Sequence, residues 1–126
     1  MSYLSTVKEM SELDMLKLWK ALYYCMWLAD KQEVQTELAR AFARTVDVFQ
    51  TEALSLLYLR SFFSIMIREW SSLDSHRINK FYTLIRIMTN KALAISWETE
   101  RKIDSIMAIF IEEILTKKPN GMFKID

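Results

Sequence analysis

The stretch ALSLLYLRSFFSIMI, residues 53 to 67, decides what kind of protein this is. It is apolar on nearly every side, which suits either a membrane span or a helix sunk in a protein core. A span needs about 20 consecutive apolar residues. This run is shorter and is interrupted by Arg60, so it reads as a buried helix and should be central. Arg60 must then find a carboxylate or a carbonyl, or reach water at the edge of the core.

The sequence on either side of this helix has the same character. The chain carries one glycine, Gly121, and one proline, Pro119, in 126 residues. Helix interiors tolerate neither well, so the breaker-free stretch from 10 to 117 should be nearly all helix with short turns. Its length fits one domain, and the 52% hydrophobic content fits a dense core. We expect a single helical domain over residues 1–118 and a C-terminal tail over 119–126.

Five helices follow from the periodicity. The first runs from about Ser11 to Leu28, with Ser11 as N-cap and Asp14 in the favourable first turn. Its stripe is Met15, Leu18, Trp19, Leu22, Tyr23, Met26 and Trp27. Asp30, with Glu33 three residues on, reads as the cap of a second helix. The inner stripe of that helix is Val34, Leu38, Ala41, Phe42, Thr45 and Phe49. Thr51 should cap the central third helix, about 52 to 70. SSLDS, 71 to 75, reads as a tight turn. Asp74 then caps a fourth helix, about 75 to 96, facing inward through Ile78, Phe81, Tyr82, Ile85, Met88, Ala92 and Leu93. The fifth, about 98 to 117, opens with Glu98 and Glu100 and closes with Lys117 and Lys118, as the macrodipole favours. Its stripe is Ile103, Ile106, Met107, Phe110, Ile114 and Leu115.

A shift of 40 residues aligns Trp19 with Leu59, Leu22 with Phe62, Tyr23 with Phe63, Met26 with Met66 and Phe42 with Tyr82. A helix-pair period of that size marks HEAT or armadillo-type solenoids. Two hairpins of similar length would align in the same way. Both readings give an all-α fold of antiparallel helical hairpins, a HEAT/armadillo-like short solenoid of about five helices.

Several chemistries are excluded. Phosphate-cradling loops need glycines, and only Gly121 is present. Structural zinc needs about four Cys or His ligands, and the chain has only Cys25 and His76. One cysteine cannot form an internal disulfide, which fits a reducing compartment. The N-terminal MSYLSTVKEMSELD lacks a continuous apolar segment, so no secretory leader is expected. Cys25 and His76 could form a nucleophilic pair, but Cys25 sits on an apolar helix where burial should keep its thiol inert. Glu112 and Glu113, adjacent on a helix, should point about 100° apart and not converge on one metal. The pairs Glu98 with Glu100 and Glu33 with Glu37 read as solvated faces. The chain is expected to be non-enzymatic, with no cofactor and no small-molecule substrate.

The charge pattern offers a different candidate. Net charge is only +1, too little for generic nucleic-acid binding. The fourth helix, however, carries Arg77, Lys80, Arg86 and Lys91 and no acid. Such a stripe could meet RNA phosphates or an acidic partner, and the reading set against that is an ordinary solvated face or pairing with the fifth helix. Trp70 either seals its hairpin or anchors an interface, and Tyr24, off the main stripe of the first helix, is the second candidate anchor.

LWKALYYCMWLADK, 18 to 31, and REWSSLDSHRINKFYTLIRIM, 68 to 88, together resemble the ribosomal RNA-processing protein 1 family of eukaryotic nucleoli. The resemblance covers roughly residues 12 to 118. It rests on Trp19, Lys20, Tyr23, Cys25, Trp27 and Asp30 in the first motif. In the second it rests on Arg68, Glu69, Asp74, Lys80, Phe81 and Tyr82. It implies an all-helical nuclear, nucleolar factor that supports processing and maturation of large-subunit pre-rRNA within a preribosomal particle. The partners it implies are other large-subunit assembly factors, with pre-rRNA as a further candidate and no membrane. The motif residues are expected to be mainly structural. Ala21 stands where the family has glycine. Ser75, His76 and Asn79 stand where it prefers Arg, an aliphatic residue and Asp. An extra helical segment before the first motif and a long charged C-terminal region are missing or reduced, so the chain reads as a compact member or a fragment. The competing reading is a generic HEAT-like interaction adaptor with no RNA role.

Overall fold

The computed structural model describes Leu4 and residues 9–97 and 100–115, with the side chains of 100–102, 114 and 115 outside that description. Glu98, Lys117, Lys118 and the expected tail lie outside it as well. Among the described residues there are five α-helices and no strand. They are α1 (Glu12–Leu28), α2 (Gln32–Arg44), α3 (Glu52–Glu69), α4 (Ile78–Ser96) and α5 (Glu100–Ile109). Short 3₁₀ turns follow α2 (Thr45–Asp47) and α3 (Trp70–Ser72), and α5 continues as a π-helix over Phe110–Leu115.

The helices stack two apart in sequence. α1 packs on α3 and α2 packs on α4, while α5 and its π-helical extension close on α4 and α3. This stacking is the 40-residue relation expressed in three dimensions, and it makes the fold a short all-α solenoid. The central position of α3 follows from its composition. Tyr58, Leu59, Phe62 and Phe63 are wholly buried, and Leu54, Ile65 and Met66 nearly so. Each such side chain contributes about 1.5–3 kcal/mol relative to exposure. No helix among the described residues is long and apolar enough to cross a membrane. Arg60 resolves its burial problem at the edge of the core by pairing with Glu112 at 2.9 Å and Glu113 at 3.0 Å.

Two caps form as the sequence dictates. The Ser11 hydroxyl accepts from the Asp14 N–H at 3.1 Å, and the Thr51 hydroxyl accepts from the Leu54 N–H at 3.2 Å. Buried polar groups are satisfied between helices. The Trp19 indole donates to the Tyr58 carbonyl at 2.8 Å, and the Tyr58 hydroxyl donates to the Phe42 carbonyl at 2.8 Å. One chain of hydrogen bonds thus ties α1, α3 and α2 together through side chains with no access to water.

Several expectations are corrected. Asp30 does not cap α2. Lys31 takes the N-cap position without a side-chain bond, and Gln35 reaches back to the carbonyls of Ala29 at 2.9 Å and Asp30 at 3.2 Å. Val34 is exposed because α2 packs through its small residues Ala39 and Ala43 with Phe42, about 120° from Val34 around the helix. α4 starts three residues later than expected. The Asp74 carboxylate holds a turn instead, accepting the N–H groups of His76 and Arg77 at 3.0 Å each. Leu93 is exposed, and Leu84 and Ile95 take inward positions on that helix. Ile103 and Met107 also face outward, leaving Ile106 and Ile109 as the inner residues of α5. Cys25 is exposed rather than buried. Glu112 and Glu113 both accept from the Arg60 guanidinium.

Candidate functional site

The two sequence motifs, 50 residues apart in the chain, meet in space where the end of α1 faces the start of α4. Lys80 makes the join. Its side chain is buried, and its ammonium donates to the carbonyls of Trp27 at 2.6 Å and Ala29 at 2.8 Å. Those carbonyls belong to the unpaired C-terminal end of α1, where a cation is favoured by both hydrogen bonding and the helix dipole. Burial pulls the Lys80 ammonium below the usual lysine range, and neighbouring Arg77 adds to the effect. Asp30 and Asp74 act against it.

Aromatic contacts complete the junction. Tyr23 stacks on Phe81 with ring centroids 4.8 Å apart, and the Arg77 guanidinium lies 4.2 Å from the Trp27 ring centroid. Arg77 also pairs with Asp74 at 2.6 Å. Burial alone would raise the Asp74 carboxyl, but the hydrogen bonds and charge of Arg77, with the His76 N–H, hold it below the usual range. Burial pushes the Tyr23 hydroxyl up to about 12, with the charge of Glu69 acting in the same direction. Trp70 is buried and meets Tyr82 edge-on at 5.1 Å, so it seals the α3–α4 connection.

The expected basic stripe is not a free surface. Lys80 is buried, and Arg77 is committed to Trp27 and Asp74. Lys91 pairs with Asp47 at 2.6 Å, bridging α4 to the turn after α2. Arg86 stands apart from the other three on the exposed side of α4. Apart from Asp74, three residues before Arg77, these partners lie on other elements, where local reading does not reach.

The motif residues divide into two groups. Trp19, Tyr23, Lys80 and Phe81 are buried, and Trp27, Glu69 and Tyr82 are half-buried. Lys20, Cys25, Asp30, Arg68 and Asp74 are exposed, as is Tyr24 between them. The outward face of α1 was not singled out from the sequence beyond Tyr24. Its signal was present in the spacing of Leu13, Lys17, Tyr24 and Leu28, which share a side opposite the buried stripe. Among the described residues no group of three or more His, Cys, Asp or Glu side chains could hold a metal ion. His76 is exposed in the Asp74 turn and Cys25 lies on the outer side of α1.

Fold and surface thus define a short helical solenoid whose recognisable residues split between an internal junction and an outward helix face. The match to known proteins narrows this class. The family profile described as "Nucleolar protein, Nop52" matches residues 1–123, and the chain belongs to that family. It is 40% identical over 116 residues to human "Ribosomal RNA processing protein 1 homolog A", covering 86% of this chain and 25% of that protein. It is 34% identical over 119 residues to the human homolog B, covering 89% of this chain and 16% of that protein. A Drosophila melanogaster "Ribosomal RNA processing protein 1 homolog" is 38% identical over 99 residues, covering 78% and 14%. The chain spans a quarter or less of the length of these relatives.

Proposed function

We propose that this chain acts in ribosome biogenesis as a non-catalytic scaffold. In this reading it supports processing and maturation of large-subunit pre-rRNA within a nucleolar preribosomal particle. The observation that carries the reading is membership of the Nop52 nucleolar family, with relatives named for ribosomal RNA processing along most of this chain. The burial of Lys80, with Arg77 and Lys91 engaged in surface ion pairs, supports contact with protein assembly factors rather than direct contact with pre-rRNA phosphates. The same arrangement favours, as the second reading, a HEAT-like interaction adaptor with no RNA role.

Depletion of the protein in cells, followed by resolution of rRNA precursors, tests the first reading. Large-subunit precursors should accumulate while small-subunit rRNA is spared. Unchanged precursor levels on depletion would leave the adaptor reading standing alone.

A further inference from the structure

Two cavities on the outer side of α3 run into one another. One, of about 560 Å³, lies where the starts of α1 and α3 meet and is lined in part by Glu9, Met10, Asp14 and Ala53. The other, of about 190 Å³, lies further along α3, between Glu12 and Leu16 of α1 and Glu113 of the π-helix. Leu57 lines both. From Ala53 to Ser64 the combined groove follows α3 for about 17 Å at 1.5 Å per residue. Among the described residues Arg60 is the only cation on its lining, and Arg60 is already held by Glu112 and Glu113. Glu9, Glu12 and Asp14 are exposed and pair with no cation among the described residues.

Acids in the first turn of a helix are ordinary, and the starts of α1 and α3 offset them with about half a positive charge each. Three carboxylates exceed that offset, so the groove stays negative. A separate feature points to a ligand. Ser61 is 3% exposed and lines the smaller cavity, and its hydroxyl bonds to none of the described residues. Buried hydroxyls are normally satisfied, so this one is a hydrogen-bonding group left open to whatever enters the groove. We propose that the groove binds a basic peptide segment of another protein. An apolar residue of that segment sits against Leu16 and Leu57, and lysines or arginines on either side of it meet Glu9, Glu12 and Asp14. The Ser61 hydroxyl donates to a carbonyl of the peptide backbone. The same carboxylates repel nucleic acid. The inference rests on the scaffold reading only in its premise that the chain works by binding other proteins.

The test titrates the full chain with three labelled synthetic peptides that share a central leucine and carry lysine, glutamine or glutamate on either side of it. Fluorescence anisotropy should show the lysine peptide binding about tenfold or more tightly than the glutamate peptide, with affinity falling as salt rises. Ala53→Arg, which places a bulky cation in the groove from an exposed position, should abolish binding. Ser61→Ala should weaken it by about three- to tenfold, and Glu33→Lys, on the outer side of α2, should leave it intact. Glu9→Lys with Glu12→Lys should invert the preference toward the glutamate peptide, a gain that misfolding cannot produce. The proposal is overturned if none of the peptides binds, if all three bind alike, or if Ala53→Arg or Ser61→Ala binds like the parent. It is also overturned if sedimentation shows a second copy of the chain in the groove, released by Ala53→Arg, or if mixed-sequence single-stranded RNA binds there in preference to the lysine peptide. Binding only after removal of residues 116–126 would overturn it too, by assigning the groove to the chain's own lysines. These readouts need no ribosome. Selective peptide binding with normal rRNA precursors on depletion would remove the ribosomal reading and keep this one.

Discussion

The ammonium of Lys80 donates to the carbonyl oxygen of Trp27 at 2.6 Å, across 53 positions of sequence. With the second bond, to Ala29 at 2.8 Å, it terminates a helix from a different part of the chain. Lys80→Met keeps the length of the stem but removes the donors, leaving the Trp27 carbonyl without its partner and the Ala29 carbonyl to Gln35 alone. That should cost about 1–3 kcal/mol, read as a lower urea midpoint at unchanged slope. Lys80→Glu should be worse, placing a carboxylate against the same carbonyls. A Lys80→Met variant as stable as the parent would mean that water serves the carbonyls equally well.

The Trp19–Tyr58–Phe42 chain of hydrogen bonds makes a second demand. Trp19→Phe removes the indole donor and part of the volume of a side chain that is 1% exposed. The Tyr58 carbonyl lies inside α3 and keeps its ladder partner, so the expected loss is about 0.5–1.5 kcal/mol for the one hydrogen bond, before any cavity cost. Tyr58→Phe should cost at least as much, because the Phe42 carbonyl belongs to the last turn of α2, where the helix supplies no α-helical partner. Denaturant unfolding of both variants and of the double variant measures whether the two bonds act as one network.

Alkaline stability should be set in part by Tyr23. Its folded pKa, pushed to about 12, exceeds the ordinary 10.0, so the folded state holds the phenolic proton more tightly than the unfolded chain. The stabilisation is complete below pH 10 and is lost as pH rises toward 12. Burial moves Tyr58 in the same direction. Stability of the parent should fall across that window, and Tyr23→Phe should flatten the fall. An equal slope in the variant would assign the loss to other groups.

Cys25 is exposed, so a thiol reagent should label the native protein without denaturant. Cys25→Ser should change stability by no more than about 0.5 kcal/mol. Labelling that requires unfolding would place the thiol inside.

Arg60 anchors the π-helical end of the molecule through two carboxylates at the rim of the core. Because the guanidinium is about a third exposed and Glu112 more so, the pair is partly screened. Arg60→Met should cost at most about 1 kcal/mol. Its clearer effect should be faster amide exchange across α5, with the cores of α1 and α3 unchanged.

What the sequence made legible was local. Ser11 and Thr51 sit where a cap must, next to apolar stripes, and both act as expected. The absence of glycine and proline across α1 to α4 left little but helix to form. Arg60, embedded in an apolar run, needed a carboxylate, a carbonyl or water at the edge, and two carboxylates meet it there. What could not be read was tertiary. Lys80 resembles a surface cation in every local respect, and only the approach of α1 makes it a buried cap. Asp30 has the spacing of a capping residue, but Gln35 reaches the same turn from inside α2. Val34, Leu93, Ile103 and Met107 fit an apolar stripe by count, and each lies at its margin because smaller or better-centred residues define the contact. Nor could local reading show that Glu112 and Glu113 would both serve Arg60 from another helix.

The two-apart stacking of the helices has a consequence for synthesis of the chain. When α1 and α2 have left the ribosome, neither yet has its main packing partner, since α1 awaits α3 and α2 awaits α4. The Trp27 carbonyl in the last turn of α1 also waits for Lys80, while Gln35 already serves Ala29 and Asp30. Neither hairpin can mature as a vectorial unit, so the nascent chain holds its aromatic faces open until the fourth helix is made, and chaperone occupancy should peak in that interval.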